Sequence, residues 1–199
     1  MFSFFTHNPK GAIKYFGLSE WWLSEFTEEE RSKIISSYGP GGVIDGEFSN
    51  ISVSATSFLS NLADWVKGIE NRAVAYKLLS KAEELISTAT VSEKHFFYQI
   101  KIQIYYRYRE EDSSALNAAV SACEQQIAMH KEASQAFRNE YGDQILPMHV
   151  GFTQLCIIRE RQGNYDEAIR LCNEAMMEGW GGDWEKRIER YTKKKLKVS

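Results

Sequence analysis

Apolar residues recur every three or four positions along most of the chain after residue 52, the pattern of helices with one buried face. The pattern predicts helices at 54–67, 71–88, 92–109, 113–138, 147–162, 165–179 and 184–196. The alternation typical of a strand never continues for more than a few residues, so we expect no sheet. Helices joined by such short turns pack as antiparallel hairpins, and the predicted fold class is all-α.

The first 52 residues follow a different pattern. Thr27–Glu30 has the form of a capping box and predicts a helix start, whereas Gly39–Ser52 is the clearest loop of the sequence. We interpret residues 1–52 as an aromatic-rich helical cap and loop that closes one end of a helical array. The alternative is that Trp21 and Trp22 form an interaction surface.

A regular order of large and small residues lies between Val150 and Gly179. It consists of Phe152, Leu155 and Cys156, then Gly163, Asn164 and Tyr165, then Ala168, Cys172 and Ala175. Small residues let two helices approach closely, and a glycine permits the turn between them. The order resembles the tetratricopeptide repeat (TPR), a unit of two antiparallel helices. It departs from that family after the second helix, where Trp180-Gly181-Gly182 replaces the usual proline.

A second, weaker match precedes this one. It consists of Leu59, Leu62 and Ala63 on one helix and of Ala75, Leu79 and Ala82 on the next. A third hairpin is expected between 92 and 138, although its register fits poorly. The resemblance implies a short TPR-like α-solenoid over residues 53–199, in which the last helix is a cap with a buried face of Trp184, Ile188 and Tyr191.

Charge is distributed unevenly along the chain. From Lys186 to Ser199 there are seven basic residues and one acidic residue, so this segment carries +6 and residues 1–185 carry −9. An acidic body disfavours nucleic-acid binding, and we interpret the basic tail as a solvated helix end. The sequence shows neither a signal-peptide pattern nor an apolar stretch of membrane-spanning length, so we expect a cytoplasmic protein with no membrane partner.

Candidate chemistry is sparse. None of the four histidines has metal-site spacing, and the three cysteines include no C-x-x-C pair. Phosphate-binding loops and nucleophile elbows are also missing from the sequence. We therefore predict no catalytic residue, no metal and no cofactor, and we interpret Cys156 and Cys172 as buried packing residues.

The predicted helix 92–109 carries more aromatic and basic residues than one buried face can absorb. Tyrosine and arginine are enriched in binding hot spots, and in a TPR-like array the first helices line a concave groove. The candidate partner-binding residues are Lys101, Tyr105, Tyr108 and Arg161. The alternative for this cluster is ordinary packing with exposed basic ends.

These observations predict a non-enzymatic adaptor or scaffold that binds a protein or peptide segment through this groove. The basic residues favour an acidic or carboxylate-bearing segment. Two alternatives stay open at this point. One is a small-molecule or nucleic-acid-linked regulator on a helical scaffold, and the other is an enzyme with no recognisable motif.

Overall fold

A computed structural model describes three stretches of the 199-residue chain, residues 9–38, 51–142 and 146–198. This part of the chain is all-α, with eleven α-helices and two very short strands. The predicted loop Gly39–Ser52 lies mostly outside the described residues.

The chain divides into two compact units, residues 1–90 and 91–199. The division suggested by the sequence, 1–52 and 53–199, places the boundary elsewhere. The two boundaries differ because the first compact unit contains both the predicted aromatic cap and the first predicted hairpin.

Within the described residues the first unit contains five α-helices. They are α1 (Gly11–Tyr15), α2 (Ser19–Glu25), α3 (Glu28–Ser37), α4 (Ala55–Trp65) and α5 (Arg72–Glu84), with 3₁₀ turns at Ile69–Asn71 and Ile86–Thr88. The predicted capping box forms at the start of α3. The Glu30 amide donates to the Thr27 hydroxyl at 3.2 Å, and the Thr27 amide donates to the Glu30 carboxylate at 2.8 Å. Trp22 is fully buried, so this residue is part of the core.

Helices α4 and α5 form the first predicted hairpin. The six residues that carry the match are all buried: Leu59, Leu62, Ala63, Ala75, Leu79 and Ala82. The Thr56 hydroxyl donates to the Ala82 carbonyl at 3.0 Å and so links the two helices. Gly68 begins the turn with φ +102°, a conformation that glycine adopts without strain.

The second unit contains six α-helices and two strands within the described residues. They are α6 (Val91–Arg107), α7 (Ala115–Ala128), α8 (His130–Tyr141), β1 (Leu146–Met148), α9 (Val150–Arg161), α10 (Tyr165–Glu178), β2 (Trp180–Gly181) and α11 (Trp184–Val198). The main packing partners are α6 with α7, α7 with α9, α9 with α10, and α10 with α11.

The prediction of one helix over 113–138 was wrong. The segment forms α7 and α8, separated at Met129, whose φ of −101° and ψ of 9° interrupt the helix. Neither glycine nor proline marks this break in the sequence. Tertiary packing accounts for it, because His130 at the start of α8 is buried with its ring 5.4 Å from that of Phe152 on α9.

The prediction of no sheet was also wrong, although the sheet is very small. Strands β1 and β2 pair in parallel, with Leu146 opposite Trp180 and Met148 opposite Gly181. Gly181 allows this approach, because a Cβ atom there would lie 2.7 Å from the Leu146 carbonyl oxygen. The Trp180-Gly181-Gly182 segment that departs from the TPR pattern therefore forms a strand contact, and α9 begins at 150 instead of 147.

Helices α9 and α10 form the best predicted hairpin. Its seam of small residues, Cys156, Ala168, Cys172 and Ala175, is fully buried. Gly163 turns the chain with φ +73°, and the Asn164 side chain accepts from the Glu167 amide at 3.2 Å to cap α10. Both cysteines are free and buried, as predicted. Helix α11 packs on α10 and buries Trp184 and Tyr191.

Candidate functional site

The four residues predicted to bind a partner do not form one exposed set. Lys101 and Tyr108 are only 8% and 3% exposed, and Tyr105 is half-buried. Arg161, the last residue of α9, is exposed. Of the four residues, Arg161 and part of Tyr105 are therefore open to a partner in this structure, and the binding role of the set stays a prediction.

Arg161 belongs to a cleft formed with two other residues from the end of α6 and the turn after it. The guanidinium carbon of Arg109 lies 4.2 Å from the centroid of the Tyr106 ring, and that of Arg161 lies 5.9 Å from the same centroid. Leu116 of α7 and Ile158 of α9 supply apolar walls, and the cleft has a volume of about 150 Å³. We call this the arginine–tyrosine cleft. Its residues are held in place by the packing of α6, α7 and α9 on one another.

The two arginines of this cleft differ in their partners. Arg109 donates to the Tyr106 carbonyl at 2.7 Å and lies 3.2 Å from the Glu110 carboxylate. Glu110 also lines this cleft but pairs with Arg109, and within the described part of the chain no ion pair is formed by Arg161. By contrast, the exposed Arg170 of α10 is paired with Glu167 and Glu174, both at 2.7 Å. Arg161 is therefore a guanidinium available to an external anion.

A second, larger cleft of about 450 Å³ lies between α8 and α10. Its lining residues are His130, Lys131, Arg170, Asn173, Glu174, Met177 and Glu178. His130 Nε2 is 3.4 Å from a Glu174 carboxylate oxygen, and the same carboxylate accepts from Arg170 at 2.7 Å. We call this the histidine–glutamate cleft. Its histidine and glutamate are far apart in sequence, so no local motif could have indicated it.

The groups around the histidine–glutamate cleft are not arranged for nucleophilic catalysis. Ser134 lies one turn after His130, which is a spacing that could bring a hydroxyl to a base. Its hydroxyl instead donates to the Glu178 carboxylate, and the Lys131 carbonyl oxygen lies 2.9 Å from the same hydroxyl oxygen. The hydroxyl therefore has no histidine base beside it.

Two further histidines are buried together in the second unit. The His95 ring stacks on Trp180 with centroids 5.3 Å apart, and the His149 ring lies 5.0 Å from His95 and 4.7 Å from Trp180. Phe137 packs against His95 at 5.2 Å. We call these four residues the histidine–aromatic cluster. Both imidazoles are fully buried, and His95 has no hydrogen-bond partner for either ring nitrogen among the described residues.

His149 also has a structural role at the start of α9. Its Nδ1 accepts from the Phe152 amide at 3.3 Å and so caps the helix. Burial lowers the pKa of His95 to about 4. Burial, with smaller contributions from His95 and His130, lowers the pKa of His149 to about 2. Both imidazoles are therefore neutral at neutral pH, which the Nδ1 cap requires because a protonated Nδ1 cannot accept.

The basic tail folds back on the second unit as helix α11. Arg190 and Lys194 both pair with Glu160 of α9, at 2.9 and 2.8 Å, and Lys195 pairs with Asp166 of α10. The lysine side chains stay exposed, as expected for a solvated end. Several of their charges are nevertheless paired with glutamate and aspartate side chains of α9 and α10.

Among the described residues, no group of three histidine, cysteine, aspartate or glutamate side chains is placed to hold a metal ion. In the same part of the chain, no helix combines the length and apolar character needed to cross a membrane. Comparisons with protein-family models, curated proteins and solved structures gave no match.

Proposed function

We propose that the protein is a non-enzymatic, TPR-like adaptor or scaffold that binds a carboxylate-bearing protein segment at the arginine–tyrosine cleft. The observation that carries this proposal is the exposed guanidinium of Arg161, which lies beside the Tyr106 ring and has no carboxylate partner in the described part of the chain. The three free, buried cysteines suit a reducing compartment, which supports a cytoplasmic location.

The chemistry of the cleft fits a carboxylate with a small apolar neighbour. A guanidinium presents two parallel N–H donors to a carboxylate, and such charge-assisted hydrogen bonds are among the stronger polar contacts of proteins. The tyrosine ring and the walls from Leu116 and Ile158 offer apolar area to the rest of the bound side chain. A volume of about 150 Å³ suits one side chain and not a large cofactor.

The TPR-like part of the proposal is supported by the buried seams of the two hairpins. Both α4–α5 and α9–α10 bury small residues at the positions that the resemblance identifies. The Trp184 and Tyr191 face of α11 covers α10, as a terminal cap would. Stacks of such hairpins commonly serve as binding platforms, which makes an adaptor role the natural use of an exposed arginine at the end of α9.

The experiment is a binding measurement on a peptide array that pairs each acidic peptide with its amide counterpart, in which Asp and Glu are replaced by Asn and Gln. We expect the acidic members to bind and the amide members to bind much more weakly. Arg161→Ala should weaken binding by about 2 kcal/mol, the size of a hot-spot loss. The matched control is Arg170→Ala, which removes an exposed arginine that already has carboxylate partners. Equal binding of both peptide series, or an unchanged affinity of Arg161→Ala, would contradict the proposal.

Variants of the other predicted residues test how far the binding surface extends. Tyr105 is half-buried and Lys101 is nearly buried, so a role in binding requires that the peptide reach them along α6. If Tyr105→Ala and Lys101→Ala both leave peptide affinity unchanged, the wider groove is excluded and the site is limited to the arginine–tyrosine cleft.

The second candidate function is the binding of a small molecule in the histidine–glutamate cleft. Its volume of about 450 Å³ and its mixture of cationic and anionic groups suit a zwitterion such as a free amino acid. A thermal-shift screen of the amino acids tests this function, with Asn173→Leu as the variant that should abolish any shift. A nucleic-acid-linked role has less support, because Lys194 and Lys195 are already paired with acidic residues.

A further inference from the structure

Cys156 and Cys172 face each other across the α9–α10 seam. Their Sγ atoms are 3.5 Å apart and share a hydrogen bond, and both residues are fully buried. Cys156 Sγ also lies 3.5 Å from the Ala168 carbonyl oxygen. The third cysteine, Cys123 of α7, has no such thiol neighbour among the described residues. The pairing is therefore specific to two of the three thiols.

We propose that Cys156 and Cys172 are a dithiol pair that closes to an α9–α10 disulfide when a peroxide reaches the seam. This inference is independent of the proposed binding function, since no residue of the arginine–tyrosine cleft takes part. Closure requires the two sulfur atoms to approach by about 1.5 Å to the length of an S–S bond. No side chain separates the two thiols, because their Sγ atoms are in direct contact.

The two thiols differ in their readiness to react. The hydrogen bond from Cys156 lowers the pKa of Cys172, and the cationic Arg187 of α11 acts in the same direction. The same hydrogen bond, together with burial, raises the pKa of Cys156. We assign the first attack to Cys172, because the Ala168 carbonyl beside Cys156 can hold the proton of that thiol.

The chemistry balances with hydrogen peroxide as the oxidant. The Cys172 thiolate attacks one peroxide oxygen, the O–O bond breaks, and Cys172 becomes a sulfenic acid as hydroxide leaves. Cys156 then attacks the sulfenic sulfur, the S–O bond breaks, and the departing hydroxide takes the Cys156 proton as water. In total, two thiols lose two electrons and two protons, and one peroxide becomes two waters.

Helix α11 controls access to the pair. Tyr191 and Trp184 are buried in the same core as the two cysteines, and α11 packs on α10 and pairs with Glu160 of α9, so it lies over the α9–α10 hairpin. The outer face of α11 is a row of exposed lysines held by surface ion pairs. Partial detachment of α11 is thus the motion that admits a small oxidant, and oxidation should be slow while the helix is docked.

The experiment treats the full, unchanged chain with hydrogen peroxide and maps its disulfides by mass spectrometry of peptides digested without reduction. We expect an intact mass lower by about 2 Da and a linked pair of peptides that contain Cys156 and Cys172, both reversed by dithiothreitol. Cys123→Ser should form the same linkage, whereas Cys172→Ser should form no intramolecular disulfide. Because the mapping is carried out on the unchanged chain, it does not depend on whether a variant folds.

The role of α11 is tested by the rate at which the Cys156–Cys172 disulfide forms. Tyr191→Ala should accelerate disulfide formation at least several-fold, with far-UV circular dichroism used to verify that the helices remain. Persistence of three free thiols in the unchanged chain after prolonged peroxide treatment would overturn the proposal. So would a linkage that involves Cys123 or joins two chains.

Discussion

The α4–α5 hairpin of the first unit and the α9–α10 hairpin of the second unit both bury a seam of small residues. In α4–α5 this seam contains Ala63, Ala75 and Ala82, whereas in α9–α10 two of the four seam residues are cysteines. Their turns differ, since Gly68 leads into a 3₁₀ turn and Gly163 leads directly to the Asn164 cap. The two hairpins thus bury small residues between their helices although their turns differ. This indicates that close packing of the two helices does not depend on one particular turn.

The two hairpins also begin with different caps. The Ser54 hydroxyl accepts from the Ser57 amide at 3.2 Å at the start of α4, and the imidazole Nδ1 of His149 accepts from the Phe152 amide at 3.3 Å at the start of α9. A hydroxyl keeps its acceptor at any ordinary pH, but an imidazole loses Nδ1 as an acceptor when it is protonated. The comparison therefore predicts an acid-sensitive hairpin and an acid-insensitive one.

The largest expected effect is a loss of stability in the second unit at mildly acidic pH. The pKa values of His95 and His149 are lowered from 6.5 to about 4 and about 2 on folding. Below pH 6.5 the unfolded chain binds two protons that the folded unit excludes. The free energy of unfolding should therefore begin to fall near pH 6.5, with a slope that approaches about 2.7 kcal/mol per pH unit about one unit lower and decreases again below about pH 4. Above about pH 7 both histidines are neutral in the folded and the unfolded chain, so this loss of stability does not occur there.

Pulse-labelling hydrogen exchange measures this difference, with incubation at varied pH and a labelling pulse at one fixed pH. Amides of α9 and β1 should lose protection as the pH falls below 6.5, while those of α4 and α5 keep theirs. Glu160, Glu167 and Glu178 have pKa values lowered from 4.5 by their ion-pair and hydrogen-bond partners, so their stabilising effect is lost only at more acidic pH. Simultaneous loss of protection in both hairpins would count against the assignment to the histidines.

Overpacking the seams is the next largest effect, and it tests whether they are equivalent. Ala75→Leu and Ala168→Leu each add volume at a fully buried position on the second helix of a hairpin. Each should lower the free energy of unfolding by about 2 kcal/mol, measured by urea denaturation. Ala73→Leu is the matched control, because Ala73 is exposed and lies on α5 with Ala75. If leucine at position 75 or 168 lowers the stability no more than leucine at position 73, the seam at that position is not closely packed.

The serine cap of α4 should have a smaller effect. Ser54→Ala removes the acceptor for the Ser57 amide and should cost about 1 kcal/mol. The loss should be the same at pH 5 and pH 7, since no titrating group takes part in the cap. A larger loss at pH 5 than at pH 7 would show that the α4 cap is also acid-sensitive and that the two caps do not differ in their response to pH.

Sequence periodicity was sufficient for the helices that bury one clear face. The small-residue order at 152–175 and the capping box at Thr27 each predicted contacts that form. The break at Met129 and the pairing of β1 with β2 could not be predicted, because both depend on contacts between segments distant in sequence.

The residues of the candidate site were also only partly predictable from the sequence. The aromatic and basic residues of helix 92–109 indicated a surface, but they could not show which stripe of α6 stays accessible. The structure buries Lys101 and Tyr108 and places Tyr106 and Arg109 next to Arg161. Tyr106 follows the predicted Tyr105 by one position on α6, and Arg109 lies in the turn after that helix, so packing with α7 and α9 decides which residues line the cleft.

The smallest expected effect concerns helix α11, which packs on α10 of the second hairpin. Deletion of Lys193–Ser199 removes the ion pairs of the exposed Lys194 and Lys195 but leaves Glu160 paired with Arg190 and leaves the buried Trp184 and Tyr191 in place. Exposed ion pairs contribute little to stability, so the Tm should stay within about 2 °C of that of the full chain. Deletion of the whole of α11 is the contrasting variant and should lower the Tm strongly, because it exposes the face of α10 that α11 covers. If the short deletion alone produced that large loss, the lysines and not the aromatic face would hold α11 in place.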